Sequence, residues 1–151
     1  MSKAIFPGSF DPFTKGHEEI VTEALKIFDT IVVGIGENSK KKNVFDIEKR
    51  INHINSIYQS TNRVVVKKYI GLTTNFCLEN NATHIVRGLR NTMDFEYEKM
   101  ICQMNNELSD ISTIFFISRP ESCSMTSSII REIHLNQGDI SSFVTNSSIL
   151  V

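Results

Sequence analysis

Apolar and β-branched residues recur along the chain in short runs that alternate with longer segments of helical spacing. Two of these runs, Ala4–Phe6 and Thr30–Ile35, are almost wholly apolar, as expected for strands buried on both faces of a sheet. Between them, apolar residues spaced three or four apart predict a helix over His17–Phe28. The start of the chain therefore predicts a strand, a helix and a second strand.

The same alternation continues to the end of the chain. Asp46 is a candidate N-cap, and a helix after it would turn inward an apolar stripe at Ile47, Ile51, Ile54 and either Ile57 or Tyr58. The remaining predictions are strands over Arg63–Tyr69, His84–Val86 and Thr113–Ile117, and helices over Thr74–Asn80, Thr92–Leu108 and Ser127–Asn136. In the longest of these helices, the candidates for the apolar face are Phe95, Met100, Ile101, Met104 and Leu108.

Strands and helices that alternate in this way predict an α/β fold, because parallel strands need a long, usually helical, crossover between them. We expect a single domain over 1–151 with a Rossmann-like, doubly wound sheet of five parallel strands and helices on both faces. Ligands of such sheets bind beyond the carboxyl ends of the strands. Polar segments lie at four of those ends, and we expect them to converge on one crevice: Pro7–His17, Gly36–Lys42, Arg87–Arg90 and Ser118–Ser128.

Charge and cysteine content narrow the class of protein. The net charge of -1 argues against a protein that binds nucleic acid by general phosphate neutralisation. The cysteines, Cys77, Cys102 and Cys123, are far apart, which favours reduced thiols over disulfides or a zinc site. No apolar run approaches the roughly 20 residues of a membrane span, and the amino terminus lacks a signal-peptide core. We expect a cytoplasmic protein with no membrane partner.

The loop after the first predicted strand carries the strongest chemical pattern. Gly8 and Gly16 let the backbone approach a ligand closely, and Ser9 adds a hydroxyl group. His17 lies at the start of the following helix, where free amides and the helix dipole favour an anion. A lone histidine would more often belong to an ordinary turn, but the whole string from Gly8 to His17 favours a phosphate site.

Three other segments could contact phosphate, and each also has a purely structural explanation. Arg87 and Arg90 could present guanidinium groups to different phosphates, or could lie in a solvated loop. The carboxylates of Asp94–Glu98 could serve only the dipole of their helix, and the hydroxyls of Ser122–Ser128 could serve only as caps. Lys40–Lys42 could likewise be a solvated loop.

Taken together, these segments resemble known enzymes. Thr14-Lys15-Gly16-His17 resembles the first signature of the HxGH/TxGH nucleotidyltransferase superfamily. Arg87-Gly88-Leu89-Arg90, followed by the DFEYE of Asp94–Glu98, narrows the resemblance to the bacterial-type phosphopantetheine adenylyltransferases. The similarity runs in order along nearly the whole chain. In that family an ISSTxxR-like stretch lines the ATP phosphate site, and Thr126-Ser127-Ser128 takes its place here.

The resemblance implies transfer of AMP from ATP to 4'-phosphopantetheine, which gives dephospho-coenzyme A and pyrophosphate. The catalytic residues it implies are His17, Lys41 and Arg90. His17 would stabilise negative charge that develops on the phosphates. Lys41 would reach the acceptor phosphate, with Lys42 as the alternative if the register is shifted by one. Ser9 and the Phe10 amide would hold the α-phosphate and the attacking phosphate together.

The resemblance also implies the residues of two adjoining binding sites. The ATP site would consist of Ser9, Phe10, His17, Gly88, Leu89, Arg90, Glu98, Ser122, Cys123, Ser124, Met125, Thr126, Ser127 and Ser128. Within it, Arg90, Ser127 and Ser128 would bind the β and γ phosphates, while Glu98 and Gly88 would lie on the nucleotide side. The acceptor site would consist of Ser9, Lys41, Leu72, Thr73, Arg87 and Asn105.

Partners and alternatives follow from the same resemblance. Mg²⁺ is expected to arrive with ATP, since no carboxylate cage for a resident metal is apparent. A homohexamer and feedback binding of coenzyme A are expected from the family. The alternatives are an enzyme that adenylates nicotinamide mononucleotide or cytidylates an alcohol phosphate, and a non-catalytic sensor of adenine nucleotides or coenzyme A. A nucleic-acid-binding role would rest on Lys40–Lys42 alone.

Overall fold

All five strands join one parallel sheet, and the computed structural model describes every residue from 1 to 151. The strands are β1 (Lys3–Gly8), β2 (Thr30–Gly36), β3 (Val64–Tyr69), β4 (His84–Leu89) and β5 (Ser112–Ile117). The helices are α1 (Lys15–Ala24), α2 (Ile47–Ile57), α3 (Thr73–Glu79), α4 (Thr92–Leu108) and α5 (Ser127–Leu135). The predicted α/β fold with five parallel strands is confirmed.

The order of the strands places a topological switch at the centre of the sheet. The order is β3-β2-β1-β4-β5, so the chain winds outward on one side of β1 and then returns to build the other side. β1 pairs with β2 along its whole length, but it pairs with β4 only through Ala4 and Ile5. Beyond Ile5 the two central strands separate, and a crevice opens at their carboxyl ends.

Pro7 lies inside β1, although the sequence predicted that this strand ends at Phe6. A proline removes one N–H from a sheet and is therefore tolerated only where that donor is not needed. The ladder between β1 and β4 stops at Ile5, two residues before Pro7. The strand therefore continues through Pro7 and Gly8, paired only with β2.

Alternate residues of β1 serve two separate cores, one on each face of the sheet. Ala4 and Phe6 belong to a cluster of 14 buried residues that includes Val21 from α1 and Ile54 from α2. Ile5 belongs to a second cluster of 7 residues on the other face, which includes Phe76 from α3. The helices thus cover both faces, as the sequence predicted.

Two element boundaries differ from the sequence prediction in ways that affect the site. The first helix ends at Ala24 and not at Phe28, because the chain turns tightly from there through bonds such as that from the Ile27 amide to the Ala24 carbonyl. β4 continues past Val86, because the segment Arg87–Leu89 pairs with β5. The two residues Arg87 and Gly88 are therefore fixed on a strand and do not belong to a loop.

The predicted apolar face of α4 is correct as a pattern but does not enter the core. Its only buried residue is Glu98. The apolar candidates remain between 36% and 64% exposed: Phe95, Met100, Ile101, Met104 and Leu108. An apolar stripe that stays this exposed within one chain points to a contact with another molecule. Separately, none of the helices combines the length and apolar character needed to cross a bilayer.

We predict that Gly34→Ala destabilises the protein, whereas Gly36→Ala on the same strand does not. A Cβ atom at Gly34 would lie 2.6 Å from a ring carbon of Phe76 and 3.2 Å from one of Tyr69, whereas at Gly36 its nearest neighbour would be 3.5 Å away. Overpacking of this kind costs about 1–3 kcal/mol. Urea unfolding of both variants measures the difference, and equal free energies of unfolding would contradict the prediction.

Candidate active site

All four segments predicted to converge contribute residues to one cleft, at the carboxyl ends of β1 and β4. Its volume is about 520 Å³, within the range of small-molecule sites. Only 4 of its 23 lining residues are hydrophobic. The cleft is therefore suited to a polar ligand. The residues of the predicted site that line it are Ser9, Phe10, His17, Lys41, Arg87, Gly88, Arg90, Glu98, Ser122, Met125, Thr126, Ser127 and Ser128.

The start of α1 fixes the orientation of the His17 ring. Thr14 is the N-cap residue, and its hydroxyl oxygen accepts a hydrogen bond from the His17 amide at 3.3 Å. In return, the Thr14 amide donates to Nδ1 of His17 at 2.9 Å. This reciprocal arrangement is a capping box with histidine in the usual place of glutamate. Because Nδ1 accepts, the proton of the neutral ring lies on Nε2.

The surroundings of His17 keep its ring neutral. Phe6, Phe10 and Phe13 pack around it, with ring centroids 5.1 to 6.0 Å from the imidazole. Burial, followed by the positive charges of Arg87 and Arg90, lowers the pKa of His17 to about 3. The Nε2–H group makes no hydrogen bond within the protein. It is therefore a neutral donor at physiological pH.

Lys41 reaches across the cleft from the loop after β2. Its ammonium group donates to the hydroxyl of Ser9 at 2.9 Å. Lys42 does not line the cleft, so of the two lysines considered from the sequence the structure brings Lys41 to the site. A cation and a hydroxyl side by side, next to the loop before α1, form a pair that can bind a phosphate.

Arg90 is oriented by a carboxylate that was not assigned to the site from sequence. Asp94, in the first turn of α4, accepts from Nε of Arg90 at 2.9 Å and from its amide at 3.1 Å. Burial raises the pKa of Asp94, but the hydrogen bonds from Arg90 outweigh this effect and keep the pKa below its usual value. Asp94 therefore stays ionised and holds the Arg90 guanidinium at the rim of the cleft.

Arg87 joins the two central strands where they separate. Its Nε donates to Glu98 of α4 at 2.7 Å, and its Nη2 donates to the second oxygen of the same carboxylate. Its Nη1 donates to the Pro7 carbonyl of β1 at 2.7 Å. Glu98 is 10% exposed at its side chain, so this bidentate pair is largely shielded from water.

The start of α5 closes the opposite side of the cleft. Ser127 donates from its hydroxyl to the Pro12 carbonyl at 2.9 Å. Arg131 donates to the Asp11 carbonyl at 2.9 Å and to the Ser128 hydroxyl oxygen at 3.1 Å. The loop before α1 and the start of α5 are thereby tied together. Thr126 caps α5, as the run of hydroxyls predicted.

A smaller cavity adjoins the cleft and holds the predicted residues of the acceptor arm. Its volume is about 170 Å³, and it shares Arg87 and Glu98 with the main cleft. Thr73 and Asn105 line it, as does Tyr69, whose hydroxyl lies 2.9 Å from that of Thr73. Four predicted site residues line neither space: Leu72, Leu89, Cys123 and Ser124. Leu72 is 54% exposed just before α3.

Several residues lining the two cavities were not assigned to the site from sequence. Thr14, Asp94 and Arg131 belong to the motifs themselves, so their position in those motifs was a usable signal. Tyr69 and Cys102 line the smaller cavity and had no such signal, because their place depends on how β3 and α4 pack. No group of three or more His, Cys, Asp or Glu side chains is arranged to hold a metal ion.

Comparison with known proteins identifies the family of the chain. The cytidylyltransferase-like family model matches residues 5–133. The chain is 49% identical over 146 residues to the phosphopantetheine adenylyltransferase of Cytophaga hutchinsonii, covering 95% of this chain and 97% of the relative. It is 44% identical to the enzyme of the same name from Bacteroides thetaiotaomicron, with 95% of both chains covered.

Solved structures support the fold. A bifunctional NMN adenylyltransferase/ADP ribose pyrophosphatase from Francisella tularensis matches with a TM-score of 0.68 and 18% identity over 95% of this chain and 44% of its own. A protein from Vibrio parahaemolyticus, assigned as a nicotinate-nucleotide adenylyltransferase, matches with a TM-score of 0.72 and 21% identity over 99% of this chain and 92% of its own. At such identities the likeness concerns the fold alone. The sequence matches show that the chain belongs to the cytidylyltransferase-like family and, within it, to the phosphopantetheine adenylyltransferases.

Proposed function

We propose that this protein transfers AMP from ATP to 4'-phosphopantetheine. A phosphate oxygen of the acceptor forms a bond to the α-phosphorus of ATP, and the bond from that phosphorus to the pyrophosphate group breaks. The products are dephospho-coenzyme A and pyrophosphate. The observation that carries the proposal is the single cleft in which His17, Lys41 and Arg90 come together beside the smaller cavity.

The chemistry needs groups that position the phosphates and stabilise charge, with no covalent step on the protein. His17 suits the second task, because its neutral Nε2–H can donate to a phosphate oxygen that gains charge in the transition state. A neutral donor also binds the ground state less tightly than a cation would. The benefit of His17 would therefore fall mainly on the rate of reaction.

The acceptor phosphate would bind at Lys41 and Ser9. The ammonium group supplies charge and the Ser9 hydroxyl supplies a second hydrogen bond, and both lie beside the Phe10 amide, where the α-phosphate would bind. Arg87 would contribute charge to the acceptor phosphate while it remains paired with Glu98. The pantetheine arm would then extend into the smaller cavity, where Thr73 and Asn105 offer partners for its amide groups.

The β and γ phosphates would bind at Arg90, Ser127 and Ser128. The two serines lie in the first turn of α5, where free amides and the helix dipole favour an anion. Arg90 would exchange part of its contact with Asp94 for the triphosphate. Gly88 and Glu98 would lie on the nucleotide side, together with Ser122, Met125 and Thr126.

Mg²⁺ would enter as the counter-ion of ATP. The carboxylates that line the cleft are those of Asp11, Asp94 and Glu98, and each already accepts hydrogen bonds from protein donors. This donor set suits a metal held mainly by phosphate oxygens and water. When bound, the ion would neutralise charge on the triphosphate.

The proposal extends to assembly, regulation and location. A homohexamer would cover the apolar face of α4, which is largely exposed within one chain. Coenzyme A carries the pantetheine arm and an adenine nucleotide, so it would compete for the same two cavities. An enzyme that draws on the ATP pool of the cell would act in the cytoplasm.

The function predicts pyrophosphate release that requires 4'-phosphopantetheine. Purified protein is incubated with Mg²⁺ and ATP, with and without that acceptor, and in parallel with nicotinamide mononucleotide. The expected result is release in the sample that contains 4'-phosphopantetheine, and no release without an acceptor or with nicotinamide mononucleotide. Release with nicotinamide mononucleotide in its place would assign a different acceptor, and ATP binding without any release would favour a sensor.

His17→Ala should lower kcat by about 10²–10³, or roughly 3–4 kcal/mol, while the Kd for ATP changes little. The physical reason is that the neutral Nε2–H is aimed at charge that develops only in the transition state. His84→Ala is the matched control, since His84 lies at the amino end of β4, opposite the cleft. A His17 variant that loses ATP affinity but keeps its kcat would contradict this role.

Lys41→Ala should raise the KM for 4'-phosphopantetheine at least about tenfold, since one charge-assisted phosphate contact contributes about 1.5–3 kcal/mol. The KM for ATP should change much less. Lys42→Ala removes the same charge from a neighbour outside the cleft and should leave both values close to wild type. Equal losses for the two substrates in Lys41→Ala would argue against an acceptor-specific role.

A further inference from the structure

The peptide group between Ser9 and Phe10 is held in a strained conformation at the edge of the cleft. Phe10 has a φ angle of 47°, in the left-handed region that large non-glycine residues rarely adopt. Such a conformation persists only where surrounding contacts impose it. The Phe10 ring is fixed between Phe6 and Phe13, with both pairs of ring centroids 5.1 Å apart. The backbone of this residue therefore has little freedom to relax.

A buried arginine that does not line the cleft donates a hydrogen bond to the carbonyl of the same peptide group. Arg50 lies on α2 and is 2% exposed. Its Nη1 donates to the Ser9 carbonyl at 2.6 Å, and its Nε donates to the Phe45 carbonyl at 2.9 Å. Burial lowers the pKa of Arg50, while the nearby charge of Asp11 opposes that effect. The phosphate-binding roles described above do not use Arg50.

The geometry of the peptide bond links this contact to the cleft. The Ser9–Phe10 bond is trans, so its carbonyl and its N–H point in opposite directions. Arg50 holds the carbonyl on the side of α2. The Phe10 amide donates to no acceptor in the protein, and Phe10 lines the cleft. The free N–H is thus directed away from Arg50, in a residue that lines the cleft.

We propose that Arg50 is a positioning residue for AMP transfer: by holding the Ser9 carbonyl, it aims the Phe10 amide at a non-bridging oxygen of the α-phosphate. The inference rests on the proposed function. A cation on the carbonyl also polarises the peptide group, which makes its N–H a stronger donor. Arg50 acts through this amide and does not touch the substrate itself.

Asp11 completes the link between the two loops that carry Ser9 and Lys41. Its carboxylate accepts from the amides of Val44 and Phe45, both at 2.9 Å. The Phe45 amide therefore donates to Asp11, and the Phe45 carbonyl accepts from Arg50. The loop after β2 is thus fixed to the loop after β1 at two points. The hydrogen bond from Lys41 to Ser9 joins the same two loops.

Arg50→Met tests the proposal against Arg63→Met as a matched control. Arg63 also donates to backbone carbonyls, those of Leu25, Phe28 and Asp29, but at the amino end of β3, away from the cleft. Both variants should lose stability on heating. Only Arg50→Met should also lower kcat, by about ten- to a hundredfold. This loss is smaller than the loss of about 10²–10³ expected when a donor to the transition state is removed completely. Equal kcat values in the folded variants would overturn the proposal.

A second readout separates positioning from a general loss of structure. The two diastereomers of ATP with sulfur in place of one non-bridging α-oxygen should react at different rates in the wild type, because the Phe10 amide contacts one of the two oxygens. Arg50→Met should reduce that preference, and Arg63→Met should retain it. Arg50→Lys keeps the charge and one donor and should recover part of both kcat and preference. An unchanged preference in Arg50→Met and Arg50→Lys would overturn the role.

The wild type in the same assay separates this inference from the proposed function. Turnover by the wild type with no defect specific to Arg50 would leave the function in place and remove Arg50 from it. If the wild type released no pyrophosphate with 4'-phosphopantetheine, the proposed function would fail. The Kd for ATP, measured by calorimetry, would then decide: weaker binding in Arg50→Met than in Arg63→Met would support phosphate positioning, and equal binding would overturn it.

Discussion

The separation of β1 from β4 beyond Ile5 is the constraint on which the rest of the site depends. A parallel sheet that stayed paired along its full length would leave no crevice at its centre. Here the backbone pairing of the two strands stops after two residue pairs, and the guanidinium of Arg87 spans the gap to the Pro7 carbonyl. The Arg87 side chain thus links β4 to β1 where their backbone pairing ends, and its guanidinium group places a positive charge in the cleft.

The electrostatics of the cleft follow from which charges are already satisfied. Glu98 is matched by Arg87, Asp94 by Arg90, and Asp11 by two backbone amides. These carboxylates orient the basic groups and leave Lys41, the first-turn amides of α5 and the neutral Nε2–H of His17 available to an anion. A single histidine buried among phenylalanine rings and near two arginines stays neutral, because both burial and like charge oppose its protonation.

α4 has two different surfaces: one lines the two cavities, and the other is apolar and largely exposed. Its first turns supply Asp94 and Glu98 to the cleft, and Asn105 further along lines the smaller cavity. Its apolar side chains remain largely exposed, although Phe95 lies edge-on to Phe115 of β5. A subunit contact on that surface would lie on the same helix that lines the cavity proposed for the pantetheine arm. Subunit assembly and substrate binding would then share one rigid helix.

The sequence by itself determined the order and type of the elements, the parallel sheet and the four loops that meet at one edge, because period, turn residues and caps are local properties. It also indicated Thr14–His17 and Arg87–Arg90 as chemical motifs. The tertiary structure decided what these patterns do. Arg87 lies on a strand because β5 pairs beside it. Most of the apolar stripe of α4 stays exposed because the chain buries only Glu98 of that helix. The grip of Arg50 on Ser9 joins residues 41 positions apart, and no local pattern encodes such a contact.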